Sequence, residues 1–113
     1  MNRRGAAAED LVAAFLERRG LKILERNYRC RFGEIDLVAR SGALLVFVEV
    51  RARKSEAFGG AAGSITAAKR RRLVAAARHF LARHRVERAC RFDVVLVRGS
   101  EQRVEWLTDA FGE

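Results

Sequence analysis

The sequence predicts an α/β protein in which a mixed β-sheet is flanked by helices, with the element order αβββαβ(β). Three observations lead to this prediction. Two segments carry apolar residues at helical spacing, several others have the length and apolar pattern of strands, and short polar or glycine-containing stretches separate them. Because 113 residues are typical of one domain, we expect residues 1–113 to fold as a single unit.

The first helix is predicted over residues 6–19. Its apolar residues recur at the i, i+3, i+4, i+7 and i+8 spacing of one buried stripe, and Gly20 follows as a typical helix end. The stripe consists of Ala8, Leu11, Val12, Phe15 and Leu16.

Three strands are predicted next, over residues 22–30, 34–39 and 44–50, with residues 40–43 as the turn between the last two. Residues 52–64 have no clear period and contain three glycines, which predicts a mobile loop.

A second helix is predicted over residues 65–84, followed by a strand at 91–98 and a short last strand at 103–108. The residues of this helix that we expect to face the core are Leu73, Ala76, Ala77, Phe80 and Leu81.

The chain is strongly basic, which favours nucleic acid as its partner. Lysine and arginine number 23 against 14 acids, giving a net charge of +9 and a pI near 11.1. Such a surface attracts polyanions, although the same charge also fits a merely solvated surface.

The sequence predicts a cytoplasmic protein without a membrane partner. No segment approaches the roughly 18 apolar residues of a membrane span, and the charged N-terminus is not followed by the apolar run of a secretory signal. The two cysteines, Cys30 and Cys90, are too few for a disulfide framework and are expected to be reduced thiols.

Three acids are expected to meet on one face of the hairpin formed by the second and third strands. If Ser41 and Gly42 form its two-residue loop, Glu34 lies opposite Glu49 at roughly 5 Å between Cβ atoms, and Asp36 lies diagonal to Glu49. Like charges at this spacing destabilise a sheet, and a hard divalent cation such as Mg²⁺ would offset the repulsion. Two alternatives stay open. The acids pair with arginines, or a one-residue slip of the turn moves the acids of one strand to the opposite face of the sheet.

Three further residues are predicted to converge on this acidic patch. Glu9 lies at the rim of the first helix's apolar stripe, and Lys69 lies one turn before Leu73 on the buried stripe of the second helix. Arg51 shares the face of Glu49. The alternatives are an exposed Glu9, a Lys69 that reaches solvent, and an Arg51 that only forms a salt bridge with Glu34 or Glu49.

The sequence around these residues resembles the PD-(D/E)XK nuclease signature, in which an acid on one strand is followed by E-x-K on the next. Nearly the whole chain is similar to the YraN family of uncharacterised bacterial proteins, which in turn resembles archaeal Holliday-junction resolvases. The matching pieces are Gly33-Glu34-Ile35-Asp36-Leu37, Phe47-Val48-Glu49-Val50-Arg51, Phe58-Gly59, Lys69, Arg91-Phe92-Asp93-Val94 and Ala110-Phe111.

This resemblance implies a restriction-endonuclease-like core, Mg²⁺ or Mn²⁺ as cofactor and phosphodiester hydrolysis in nucleic acid. Asp36 and Glu49 match the metal-binding acids, and Glu9 matches the acid that resolvase-like members carry in their first helix. Arg51 departs from the usual lysine, and Lys69 is expected to supply the missing ammonium group. A resolvase resemblance also suggests a homodimer.

The expected activity is therefore that of a metal-dependent endonuclease acting on DNA rather than RNA, including branched DNA. Metal ligation is expected from Asp36, Glu49 and Glu34. The arginines expected to grip the phosphate backbone are Arg29, Arg53, Arg70, Arg71 and Arg72. The alternative is a nucleic-acid-binding module that keeps the fold but does not hydrolyse, which the lysine-to-arginine departure favours. A purely structural role would leave the inward carboxylates unexplained.

Overall fold

The computed structural model describes residues 3–53 and 65–112, and it confirms the α/β class and the predicted order of elements. A fifth strand of nine residues completes the sheet, where a short one was expected. The elements are α1 (Arg3–Arg18), β1 (Lys22–Cys30), β2 (Gly33–Ser41), β3 (Leu44–Arg53), α2 (Ala67–Arg83), β4 (Cys90–Arg98) and β5 (Arg103–Phe111).

The ends of several elements differ from the prediction. Strand β3 continues to Arg53, so residues 52 and 53 belong to the sheet and not to the predicted loop. The remainder of that loop, with its three glycines and the Phe58-Gly59 motif, lies outside the described residues. Helix α2 begins after Thr66, whose side chain accepts a hydrogen bond from Lys69 N at 3.1 Å and so caps the first turn.

The five strands form one mixed sheet in the order β1-β2-β3-β4-β5. Strands β3 and β4 are parallel, with α2 as the crossover between them, and the other neighbours are antiparallel. Neither described helix has the length and apolar character that crossing a bilayer requires.

Each helix covers one face of the sheet and encloses its own apolar core. The buried stripe of α1 packs against alternate residues of β2, β3 and β4, and that of α2 packs against the opposite set. The inward residues predicted for both helices are buried, except that Leu11, Phe15 and Leu81 are only partly so.

The β2–β3 hairpin turns one residue later than predicted. Ser41 pairs with Leu44, so Gly42 and Ala43 form the loop, and Gly42 takes a φ of +60° that suits glycine. Each residue of β2 therefore pairs with a residue of β3 two positions later than predicted. Leu37 pairs with Val48, and continuing this register by one residue puts Asp36, not Glu34, opposite Glu49. The expected Glu34–Glu49 pairing is wrong, but the face on which the acids lie is unchanged because side-chain direction repeats every two residues.

A fully buried carboxylate on β4 ties β4 to β5. Asp93 receives two hydrogen bonds from the Arg91 guanidinium at 2.8 Å, one from Trp106 Nε1 at 2.9 Å and one from Asp109 N at 2.9 Å. The hydrogen bonds to Asp93 raise the pKa of Arg91. Because both carboxylate oxygens are satisfied, this buried charge stabilises the β4–β5 pairing.

We expect Asp93→Ala to lower the free energy of unfolding by about 3–5 kcal/mol, because it leaves a partly buried guanidinium and two other donors without their acceptor. Urea denaturation monitored by circular dichroism measures the loss. Asp109→Asn is the matched control, since Asp109 contributes its backbone N–H to the network. A loss below about 1 kcal/mol for Asp93→Ala would show that the network adds little to stability.

Candidate active site

A cleft of about 170 Å³ opens where the C-terminal end of β3 meets the second turn of α1 and the first turn of α2. It brings together all five residues predicted to be catalytic. The lining residues are Ala8, Glu9, Asp36, Glu49, Val50, Arg51, Ala52 and Lys69.

Asp36 and Glu49 lie side by side in this cleft on neighbouring strands. Glu49 is 4% exposed, so its carboxylate depends on protein partners and not on water. Asp36 Oδ2 accepts a hydrogen bond from Val50 N at 2.8 Å, which fixes this carboxyl group against the backbone of β3.

The pKa of Asp36 is raised from 3.8 to about 8. Loss of solvation is the largest cause, and the negative charge of Glu49 is the next, whereas the Val50 hydrogen bond lowers the pKa. At neutral pH Asp36 therefore holds a proton, which it donates in a hydrogen bond to Glu49.

Two basic side chains approach the other side of Glu49. Lys69 Nζ lies 2.9 Å from Glu49 Oε2, and Arg51 Nη1 lies 3.5 Å from the same oxygen. The expectation that Lys69 finds its partner in the inward acidic patch is confirmed. For Arg51 the structure shows the salt bridge with Glu49 that was the alternative to a role at the phosphate, and that role stays a prediction. Lys69 is 37% exposed, so its ammonium group lies between the buried carboxylate and solvent.

Glu9 reaches the cleft from α1, as its place at the rim of the apolar stripe predicted. Burial raises its pKa, whereas a hydrogen bond with the Asn27 side chain and the charge of Arg26 lower it. Its charge also raises the pKa of Asp36. Glu9 is therefore electrostatically coupled to Asp36 within the cleft.

Glu34, the third predicted metal ligand, is not among the residues that line the cleft. Its side chain is 56% exposed and forms an ion pair with Arg29, with Nε and Oε2 3.0 Å apart. This placement follows from the corrected hairpin register, because Glu34 lies beyond the last pairing of β2 with β3.

The predicted phosphate-binding arginines occupy several surfaces. Arg70 and Arg71 line a groove of about 630 Å³ along α2, and Arg53 borders a smaller one beside Gly99. Arg72 packs over the β1–β2 turn, with its Cβ 3.3 Å from where a Cβ on Gly33 would lie.

Sequence reasoning missed the contribution of Asn27. This residue has a φ of +52° within β1, and its side chain meets Glu9. An asparagine in the middle of a predicted strand was the available signal, because asparagine is depleted in strands and tolerates left-handed backbone.

The donor set of the cleft suits a divalent cation held by two carboxylates. Among residues 3–53 and 65–112, no group of three or more histidine, cysteine, aspartate or glutamate side chains is arranged to hold a metal. Asp36 and Glu49 supply oxygen ligands, and Mg²⁺ characteristically uses one or two carboxylates and completes its shell with water and phosphate oxygens. The residues present therefore fit a cation that is bound together with a phosphate group.

Comparisons with known proteins give one family. Residues 8–97 match the model described as "Uncharacterised protein family UPF0102". A UPF0102 protein of Nitrosomonas europaea is 56% identical, with 97% of this chain and 94% of the relative covered. Others from Ralstonia nicotianae and Nitrosospira multiformis are 58% and 53% identical, with 96% of this chain and 85% and 92% of the relatives covered.

We expect Asp36→Asn to remove a pH-dependent loss of stability from the metal-free protein. Because the folded pKa of Asp36 lies above its unfolded value, the stabilisation is complete below about pH 4 and is lost as the pH rises through about 8. As the pH rises from 6 to 8, the free energy of unfolding of the wild type should fall by about 2 kcal/mol relative to that of the variant. The amide can still accept from Val50 N and donate to Glu49, so the variant should fold normally.

Urea denaturation at both pH values, in the presence of a chelator, measures the difference. Asp10→Asn, a substitution of an exposed acid on α1, is the control and should follow the wild type. Parallel pH dependence of the wild type and Asp36→Asn would contradict the assignment of the proton to Asp36.

Proposed function

The chain belongs to the UPF0102 family, and we propose that it is a metal-dependent endonuclease that hydrolyses phosphodiester bonds in DNA, including branched DNA. The observation that carries the proposal is the meeting of Asp36, Glu49 and Lys69 in one cleft, with Lys69 Nζ 2.9 Å from Glu49 Oε2. The relation to the PD-(D/E)XK nucleases stays a prediction from the residue pattern, and the proposed setting is the cytoplasm.

Asp36 and Glu49 are the residues that would hold Mg²⁺ or Mn²⁺. A cation bound there would lower the pKa of a coordinated water and neutralise charge on the scissile phosphate. Asp36 must lose its proton before it can serve as a ligand, so binding of the cation releases a proton and strengthens as the pH rises towards about 8.

Lys69 and Arg51 would stabilise the negative charge that develops on the phosphate. Both already lie at Glu49 Oε2, at 2.9 Å and 3.5 Å, so a phosphate bound at the same carboxylate comes within their reach. Only Lys69 can also give up a proton, because the guanidinium of Arg51 stays charged. Lys69 is thus the residue that compensates for arginine at the end of the E-x-K pattern.

The charge of the whole chain supports nucleic acid as the substrate. A net charge of +9 raises the local concentration of polyanions and speeds their association at low salt. Arg70 and Arg71 line a groove along α2, where they would bind the phosphate backbone of a DNA strand outside the cleft.

The alternative is a DNA-binding module that performs no hydrolysis. Arg51 in place of the usual lysine favours it, since the substitution removes a proton donor from the strand that carries Glu49. The two functions differ in the cleavage assay, whereas both require salt-sensitive DNA binding.

We expect the protein to cut end-labelled four-way-junction or linear DNA in Mg²⁺ or Mn²⁺ and not in chelator. Glu49→Gln and Asp36→Asn should each lower the rate by at least about 100-fold, because each removes a charged ligand. Glu17→Gln, which changes an exposed acid on the outer side of α1, should cut at the wild-type rate. DNA binding without cutting in either metal would favour the binding module.

We expect Lys69→Ala to lower the cleavage rate constant by about 10²–10³ and to change DNA affinity by less than about twofold, because Lys69 contacts the reacting phosphate and not the remote backbone. Single-turnover cleavage at saturating protein separates the two effects. Arg71→Ala should do the opposite, weakening binding and lowering the salt slope by about 0.9 while sparing the saturated rate. Unchanged cleavage by Lys69→Ala would remove this residue from the reaction.

A further inference from the structure

The turn between β1 and β2 leaves a phenyl ring partly exposed. Phe32 is 40% exposed, and the other large apolar residue of the described chain with comparable exposure is Leu24 on β1, at 42%. An exposed apolar side chain by itself is ordinary. The surroundings of Phe32 distinguish it from Leu24.

The ring of Phe32 is held in place by neighbours that leave part of it accessible. The Arg31 guanidinium carbon lies 4.8 Å from the centre of the ring, and the His79 ring meets its edge with centres 6.0 Å apart. His79 is itself fixed by a hydrogen bond between its Nδ1 and the buried Tyr28 hydroxyl. The phenyl ring therefore has a defined orientation, which a stacking surface requires.

Two further basic residues lie near the turn that carries this ring. Arg72 packs against Gly33, the first residue of β2, and Arg29 lies three residues before Phe32 on β1. Glu34 partly neutralises the patch through its ion pair with Arg29. An aromatic ring among guanidinium groups is the combination with which proteins bind unpaired nucleotides, because the ring stacks on a base while the cations meet its phosphates.

The patch lies close to the carboxylate cleft. Phe32 precedes Asp36 by four residues, which corresponds to roughly 13 Å along an extended chain. Arg72 follows Lys69 by three residues, roughly one turn of α2. If one phosphate of a DNA strand lies in the cleft, a base only a few nucleotides along the same strand would therefore lie near Phe32.

We propose that Phe32, together with Arg31, is a stacking platform for an unpaired base next to the cut. This inference rests on the proposed function, since it takes the strand at the platform to be the one in the cleft. It narrows the substrate class to DNA in which unpaired bases adjoin a duplex, as at a gap, flap or branch. In a continuous duplex every base is stacked on its neighbours, so the platform has nothing to bind.

Binding without hydrolysis provides the test. The affinity of the full chain is measured in chelator for a fully paired duplex and for a duplex of equal length with a short single-stranded gap. The variants are Phe32→Ala, Phe32→Trp, which restores a stacking ring, and Leu24→Ala as the control of matched exposure. A fluorescent adenine analogue in the gap reports stacking directly, and light scattering reports the oligomeric state.

We expect the wild type, Phe32→Trp and Leu24→Ala to bind the gapped DNA at least about fivefold more tightly than the duplex. Phe32→Ala should lose this preference and the change in analogue fluorescence, with its duplex affinity unchanged. Equal binding of both DNAs by the wild type, or equal weakening of both by Phe32→Ala, would overturn the platform. The platform would also be overturned if Phe32→Ala were a monomer where the wild type is a dimer and still preferred gapped DNA. That result would assign the ring to a contact between two copies of the chain.

The outcome is separable from that of the cleavage assay. If the protein hydrolyses DNA in no metal, the binding assay can still detect a preference that depends on Phe32. If Phe32→Ala does not change binding, the platform is refuted, but the proposal that Asp36 and Glu49 support cleavage is not affected. Thermal unfolding of Phe32→Ala should match that of the wild type, because the ring lies outside the apolar cores.

Discussion

Two carboxyl groups are placed opposite each other on neighbouring strands, in a position that water reaches poorly, and the rest of the cleft is arranged around their repulsion. Asp36 retains a proton up to about pH 8. Lys69 comes from α2 to within 2.9 Å of Glu49, and the Val50 amide donates to Asp36. Each of these partners lowers the free energy of a site that would otherwise hold two negative charges in a medium of low dielectric constant.

The buried carboxylate of Asp93 shows what a structural acid looks like in the same sheet. Its two oxygens accept four hydrogen bonds, from Arg91, Trp106 and the Asp109 amide, and it is fully enclosed. The Asp36–Glu49 pair differs because it opens into a cleft and is only partly neutralised by its neighbours. A fold that satisfies one buried acid completely and places two others where burial and mutual repulsion raise the pKa of Asp36 has concentrated its electrostatic strain in one place, which is typical of functional sites.

The parts of the site that follow from periodicity could be predicted from the sequence. Asp36 and Glu49 share a face for any hairpin register of the same parity, so an error of one residue in the position of the turn did not separate them. The position of the Glu34 side chain could not be predicted. It depends on the turn at Gly42, which sets the hairpin register, and on the ion pair that Glu34 forms with Arg29. Asn27 was missed because its effect comes from a left-handed residue inside a strand, which hydrophobic patterning does not report.

The position of Lys69 connects the geometry of the cleft to the proposed reaction. Its ammonium group has three donors, of which Glu49 Oε2 takes one, and the side chain is 37% exposed. If Glu49 also held a cation, this ion pair would weaken, and Lys69 would then be attracted to the negative charge of a bound phosphate. Arg51 lies on the same strand as Glu49, and its guanidinium approaches the same oxygen. It would keep the Glu49 carboxylate oriented while Lys69 changes partner. Such an exchange of partners would let one lysine both stabilise the buried carboxylate of Glu49 and serve the proposed reaction.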